Sequence, residues 1–230
     1  MPALSLLPWP MYLFWHTVTR FGEAQLLLPA LLAVTAWLAL RAGAARVALV
    51  WLGTTAVAAL LTTASKVAFI GYGVGYAPLD FTGISGHAMF SAAILPLLAR
   101  ETVGASHPRW HAPAVLAGLA LAALVAVSRV KVHAHSPSEC WVGFGLGAAS
   151  SLLALRAAEL PQASAPKKLV LIVGVWLAVA VAGAPPSRTH DWVTQLSVQL
   201  AGRSQPYTRA QMHREWQQQQ QRLNGRVVAP

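Results

Sequence analysis

Apolar runs of roughly 16 to 20 residues, near the length that crosses a hydrocarbon core, repeat along the first four-fifths of the chain. Short breaks carrying Lys, Arg, Gly or Pro separate them. The first run, 4–20, is broken by Pro8 and Pro10 and ends in His16 and Arg20. It reads as a short interfacial helix, with a spanning helix as the alternative. Six spanning candidates follow: 24–41, ending at Arg41; 46–65, ending before Lys66; 86–99, ending before Arg100; 111–128; 138–156; and 169–184, between Lys167-Lys168 and Pro185-Pro186. The small-residue stretch GFGLGAAS at 143–150 reads as a helix-packing face, because small side chains let helices approach closely in lipid. The pattern predicts an all-α polytopic membrane helix bundle of about six transmembrane helices with a short N-terminal interfacial helix. It places a membrane-embedded domain at 1–184 and a polar, Gln-rich tail at 185–230, the latter expected as a solvated or partly helical appendage.

Composition supports the membrane reading. Of 230 residues, 56% are hydrophobic and 10% charged, and the mean hydropathy is +0.51. Soluble domains average about 25% charged residues. The net charge of +10 does not form one patch, since Lys and Arg lie between the runs and in the tail. Nucleic-acid binding, which needs a basic face with stacking aromatics, is therefore not expected. Trp9, Trp15, Trp110, Trp141 and Trp192 sit near run ends, where amphipathic rings favour the headgroup level. Cys140 is alone, which excludes an intramolecular disulfide. No Lys or Arg precedes Arg20, and prolines interrupt the segment, so no signal peptide is expected. Arg41, Arg46, Arg100, Arg109, Arg156, Lys167 and Lys168 fall on one set of breaks, which should face the cytoplasm.

Two breaks on the opposite side hold the candidate chemistry. One runs from Lys66 to His87; the other is SRVKVHAHSPSE at 128–139. Ionisable residues at a membrane edge are costly and mark functional sites by default. Lys66, Ser85, the Gly86 N–H and Arg129 suit a phosphate: a helix N-terminus binds anions, and a guanidinium grips two oxygens. His87 and His135 suit proton or phosphoryl transfer. His135 lies four residues before Glu139, close enough for the carboxylate to hold one ring nitrogen and leave the other to attack. No metal or other cofactor is implied.

These residues resemble the type 2 phosphatidic acid phosphatases, integral-membrane lipid phosphatases with the motifs K-x6-RP, PSGH and SR-x5-H-x3-D. The chain reads Lys66; Ile84-Ser85-Gly86-His87; and Ser128-Arg129-x5-His135-x3-Glu139, over about residues 60–156. The resemblance implies His135 as a nucleophile forming a phosphohistidine and Glu139 as its orienting carboxylate. It implies His87 as general acid, and Lys66, Ser85, Gly86 and Arg129 as the phosphate cradle. It further implies a lipid phosphate as substrate of an integral-membrane enzyme, and the Lys and Arg bias then puts the site on the periplasmic face of an inner membrane. Phosphotransfer to a lipid acceptor, or headgroup binding without catalysis, is the alternative.

The chain departs from the family motifs at three places. Gly73 stands where the first motif has arginine, Ile84 where the second has proline, and Glu139 where the third has aspartate. Lys131 is the expected substitute for the missing arginine, because residues 129, 131 and 133 of an extended loop would point to one side.

Overall fold

A computed structural model describes residues 9–40, 43–103, 107–157, 165–183, 185 and 187–227. Residues 4–8 of the first run, Arg41 and Pro186 lie outside them. Among the described residues there is no strand, only an isolated bridge between Tyr76 and Phe81. The chain is all-α. Its helices are α1 Trp9–Arg20, α2 Ala24–Leu40, α3 Ala45–Tyr72, α4 Gly86–Thr102, α5 His111–Lys131, α6 Pro137–Arg156, α7 Lys167–Gly183, α8 Thr189–Leu200 and α9 Arg209–Val227.

Four stretches are long and apolar enough to cross a membrane: Pro10–Leu40, Ala45–Tyr72, Pro108–Lys131 and Pro137–Arg156. The helices α4 and α7 have 17 residues each, about 25 Å of rise. Among the expected runs, 46–65 differs most from its helix, because α3 continues past Lys66 to Tyr72. Lysine is a good helix former, so a charge alone does not end a helix. Gly73 does. Its φ is +74°, its N–H donates to Phe69 O (2.9 Å), and the Val74 N–H donates to Ala68 O (3.0 Å), a glycine-terminated C-cap. An arginine at 73 would carry a Cβ into this left-handed conformation, so the position serves chain reversal.

The chain divides into two compact units, Met1–Thr62 with Ser85–Ser187, and Thr63–Ile84 with Arg188–Pro230. The sequence expectation placed a single boundary at 184/185; in the second unit the tail groups with the end of α3 and the loop after it.

In the first unit α4 packs against α2, α5 and α6. Its apolar surface meets Leu27, Leu31, Trp51, Ala122 and Ala154 in one core. The Trp51 indole is fully buried and donates to Ala93 O (2.8 Å). Close approach of α6 rests on glycine. A Cβ at Gly143 would lie 2.5 Å from Ser85 O, and one at Gly147 would overlap Met89 O. The expected packing face at 143–150 is thus the face α6 turns to α4. Polar side chains tie α3 to α6, with Ser150 Oγ bonded to Thr54 Oγ1 (2.8 Å) and Thr55 Oγ1 (3.1 Å).

In the second unit Phe69 and Ile70 of α3 bury Tyr207 and Met212. The Tyr207 N–H donates to Ile70 O (2.9 Å), and the Tyr207 hydroxyl donates to Glu215 Oε2 (2.6 Å). Burial, together with the neighbouring Glu215 carboxylate, pushes the Tyr207 phenol up to about 12. Asp80 is a turn residue in the left-handed region (φ 51°) and also an anchor. Its carboxylate pairs with Arg209 and with His213 Nε2 (2.6 Å), and Arg209 also reaches Thr82 Oγ1 (3.0 Å). The tail is therefore helical, as one of the expected alternatives had it, and anchored through Tyr207, Arg209, Met212 and His213, while 214–224 stay exposed.

Candidate active site

The site in the first unit is built where the start of α4, the end of α5 and the start of α6 meet. The turn from α5 to α6 explains the spacing of its motif. α5 ends at Lys131, and His133 takes a left-handed conformation (φ 54°) that reverses the chain. Arg129 O then accepts from the N–H groups of Ala134 (3.0 Å) and His135 (3.2 Å). Five intervening residues are thus what brings His135 back to Arg129. Ser136 caps α6, its Oγ accepting from the Glu139 N–H (3.4 Å) while Glu139 Oε2 accepts from the Ser136 N–H (3.1 Å). This reciprocal capping box fixes the carboxylate.

Glu139 is fully buried, and its Oε2 also lies 2.6 Å from His135 Nδ1. The expected pairing is present, though it arises differently from a helical i,i+4 contact. α6 begins at Pro137, so His135 stands outside the helix and is met by a carboxylate already held by the cap. With Nδ1 bonded to a carboxylate, the ring is oriented through one nitrogen and its chemistry is directed to Nε2.

Ser85 is the N-cap of α4, and its N–H donates to Glu139 O (3.1 Å), which ties the SGH segment to the start of α6. Its Oγ is buried without a hydrogen bond of normal geometry, next to the Cys140 thiol. Gly86 and His87 form the first turn of α4, where backbone N–H groups point out of the helix. A Cβ on Gly86 would meet Thr62 Cγ2 at 3.9 Å and nothing closer, so this terminus is roomy.

Arg129 is largely buried. One terminal nitrogen donates to Thr19 Oγ1 (2.8 Å), and its Nε has no partner. Thr19 was not a sequence candidate. It lies 110 residues from Arg129 in the chain, and no local pattern signals a contact of that range. Lys131 is exposed and helical. Two residues of helix turn about 200°, so the extended alternation that would align it with Arg129 does not exist. Lys66 belongs to the second unit, where it lies along the 83–84 turn; a Cβ at Gly83 would come within 3.1 Å of its Cγ. An apolar cavity of about 350 Å³ lies along the far half of α4, lined by Leu95, Leu98, Gly118, Leu169 and Leu177, and contains none of these residues.

The family model described as PAP2 superfamily matches residues 67–162. A Klebsiella pneumoniae protein titled "Uncharacterized 22.5 kDa protein in cps region" is 32% identical over 213 residues, spanning 87% of this chain and 98% of the relative. No solved structure matches.

Proposed function

This chain belongs to the PAP2 superfamily, and from that premise we propose that it is a membrane-embedded hydrolase of lipid phosphates working through a phosphohistidine. The observation that carries the reading is the 2.6 Å contact between His135 Nδ1 and the buried, cap-held Glu139 carboxylate. A carboxylate so placed fixes the ring and stabilises the imidazolium that develops as Nε2 attacks.

In the proposed reaction His135 Nε2 bonds to phosphorus as the bond to the leaving oxygen breaks. His87 gives that oxygen its proton. Water then attacks the phosphohistidine, its proton passing to His87, and inorganic phosphate leaves. The Arg129 guanidinium and the N–H groups at the start of α4 stabilise charge on the phosphoryl oxygens. Arg129 Nε, buried without a partner, is a group that a bound phosphate would satisfy. Lys66 carries a phosphate-binding role from its family motif alone. The substrate class is a lipid monophosphate or diphosphate, such as an isoprenyl diphosphate, phosphatidylglycerol phosphate, phosphatidic acid or phosphorylated lipid A. Arg100 and Arg156 lie at the far ends of α4 and α6, and Arg109 just before α5, which supports a periplasmic site in an inner membrane.

Phosphate release from a panel of these lipids by purified protein is the test. His135→Ala is expected to abolish release while the protein remains folded in detergent. Near wild-type turnover by that variant would remove the mechanism.

A further inference from the structure

The corner between α1 and α2 lies outside residues 67–162, the part matched by the family model. It nevertheless touches two of the residues assigned above. Thr19 Oγ1 accepts a hydrogen bond of 2.8 Å from Arg129. Gly22 abuts His87: a Cβ there would lie 2.9 Å from His87 Cβ and 2.9 Å from His87 O, and 2.7 Å from Val125 Cγ1. Because Gly22 has no side chain, the corner closes down on the start of α4 and the end of α5. The neighbouring charges are already engaged. Arg20 Nε is 3.6 Å from Glu23 Oε1, and the Gln25 amide donates to Glu23 Oε2 (2.6 Å).

We infer that the α1–α2 corner is a wall of the phosphate site and that Thr19 is a positioning residue, holding the Arg129 guanidinium ready for the phosphoryl group.

The chemistry of the partner matters. A long arginine side chain loses rotamer freedom when it binds an anion, so fixing it beforehand lowers the cost of binding. A carboxylate would fix it more firmly but would neutralise it and compete with the phosphate. A hydroxyl fixes it and leaves its charge uncompensated. Thr19 is itself buried, so its oxygen cannot drift to follow the arginine. Glu23, within electrostatic reach of Arg129, is kept by Arg20 and Gln25. The inference rests on the phosphatase reading for its substrate, but anion binding can be read separately.

The experiment uses the full chain in detergent and two substitutions at one position. Thr19→Val keeps the shape and removes the acceptor, and Thr19→Ser keeps the acceptor. Inorganic orthovanadate, a phosphate analogue, serves as probe, and its half-maximal stabilising concentration is read from thermal unfolding. Thr19→Val is expected to need up to about tenfold more orthovanadate, the cost of ordering one long side chain on binding. Thr19→Ser is expected within about twofold of wild type. On any lipid phosphate that the wild type hydrolyses, Thr19→Val should raise KM by about the same factor and lower kcat less. Wild-type orthovanadate response and KM in Thr19→Val would overturn the inference and leave the phosphatase reading intact. No stabilisation of the wild type by orthovanadate would overturn it as well. If the orthovanadate pattern holds while the wild type releases phosphate from no lipid, the inference stands and the reaction assigned above falls.

Discussion

Glu139 Oε2 serves two donors at once, the His135 ring and the Ser136 backbone. In the proposed mechanism the first contact serves catalysis, the second is structural, and one substitution separates them. A glutamine at the third helical position also completes a capping box, since its side-chain oxygen accepts from the cap N–H. Glu139→Gln is therefore expected to unfold within a few degrees of wild type. It cannot stabilise an imidazolium, so kcat should fall by about two to four orders of magnitude. Thermal midpoint and turnover measured on one preparation check both halves. The spacing Arg129-x5-His135-x3-Glu139 made these residues legible in the sequence because the turn and the cap that join them are local. Thr19 was not legible, since its bond to Arg129 spans separate helices. Lys131 misled for a physical reason: an alternation argument holds only for extended chain, and α5 runs through that position.

Helix α6 shows how much one face decides. Its buried residues Gly143, Gly147, Ser150 and Ala154 recur at helical spacing, while Gly145 points away from α4 with nothing within 4 Å of its Cβ position. The two glycines should respond oppositely to one added methyl. Gly147→Ala must push α4 away and is expected to lose about 1–3 kcal/mol of stability. Gly145→Ala removes backbone freedom without a clash and should gain about 0.5–1 kcal/mol. Thermal unfolding of the pair in one detergent decides it. Apolar periodicity and small residues announced this face, and most helix limits fell close to the expected runs. The end of α3 did not, because Gly73 rather than Lys66 stops it. At the tail, α9 makes a pH-dependent contact. The Tyr207 phenol is raised to about 12, from about 10 in an unfolded chain, so its neutral form is favoured in the fold. That contribution is complete below about pH 10 and is lost as pH rises through about 12. Protease cleavage within α9 is expected to accelerate across that window. In Tyr207→Phe the acceleration should be smaller, because that group no longer ionises.

At the scale of the whole molecule, composition and run length announced a membrane helical bundle, and the motifs announced its superfamily. The division into units was hidden. Residues 63–84 and 188–230 are separated by most of the chain, and their joining depends on single tertiary pairs such as Asp80 with Arg209 and His213. In the sequence these are an ordinary turn acid and an arginine and a histidine of a Gln-rich tail. Nothing in their spacing pairs them, because the distance between partners is set by the helices in between. Shortening the chain before Arg209 would remove both partners of Asp80. The Tyr76–Thr82 segment is then expected to exchange its amide hydrogens faster than in the full chain, as measured by mass spectrometry.

The sole thiol of the chain, Cys140, is 4% exposed in the first turn of α6. Nature has thereby supplied a blank background for chemical mapping. A membrane-impermeant maleimide should leave the native protein unlabelled, so no cysteine has to be removed before one is added. Ala134→Cys, on the exposed active-site turn, and His107→Cys, exposed before α5, become paired reporters of sidedness. With a periplasmic site, the first should label in cells whose outer membrane has been permeabilised and the second only after lysis. The reverse order would turn the molecule over and place its substrate among cytoplasmic lipids.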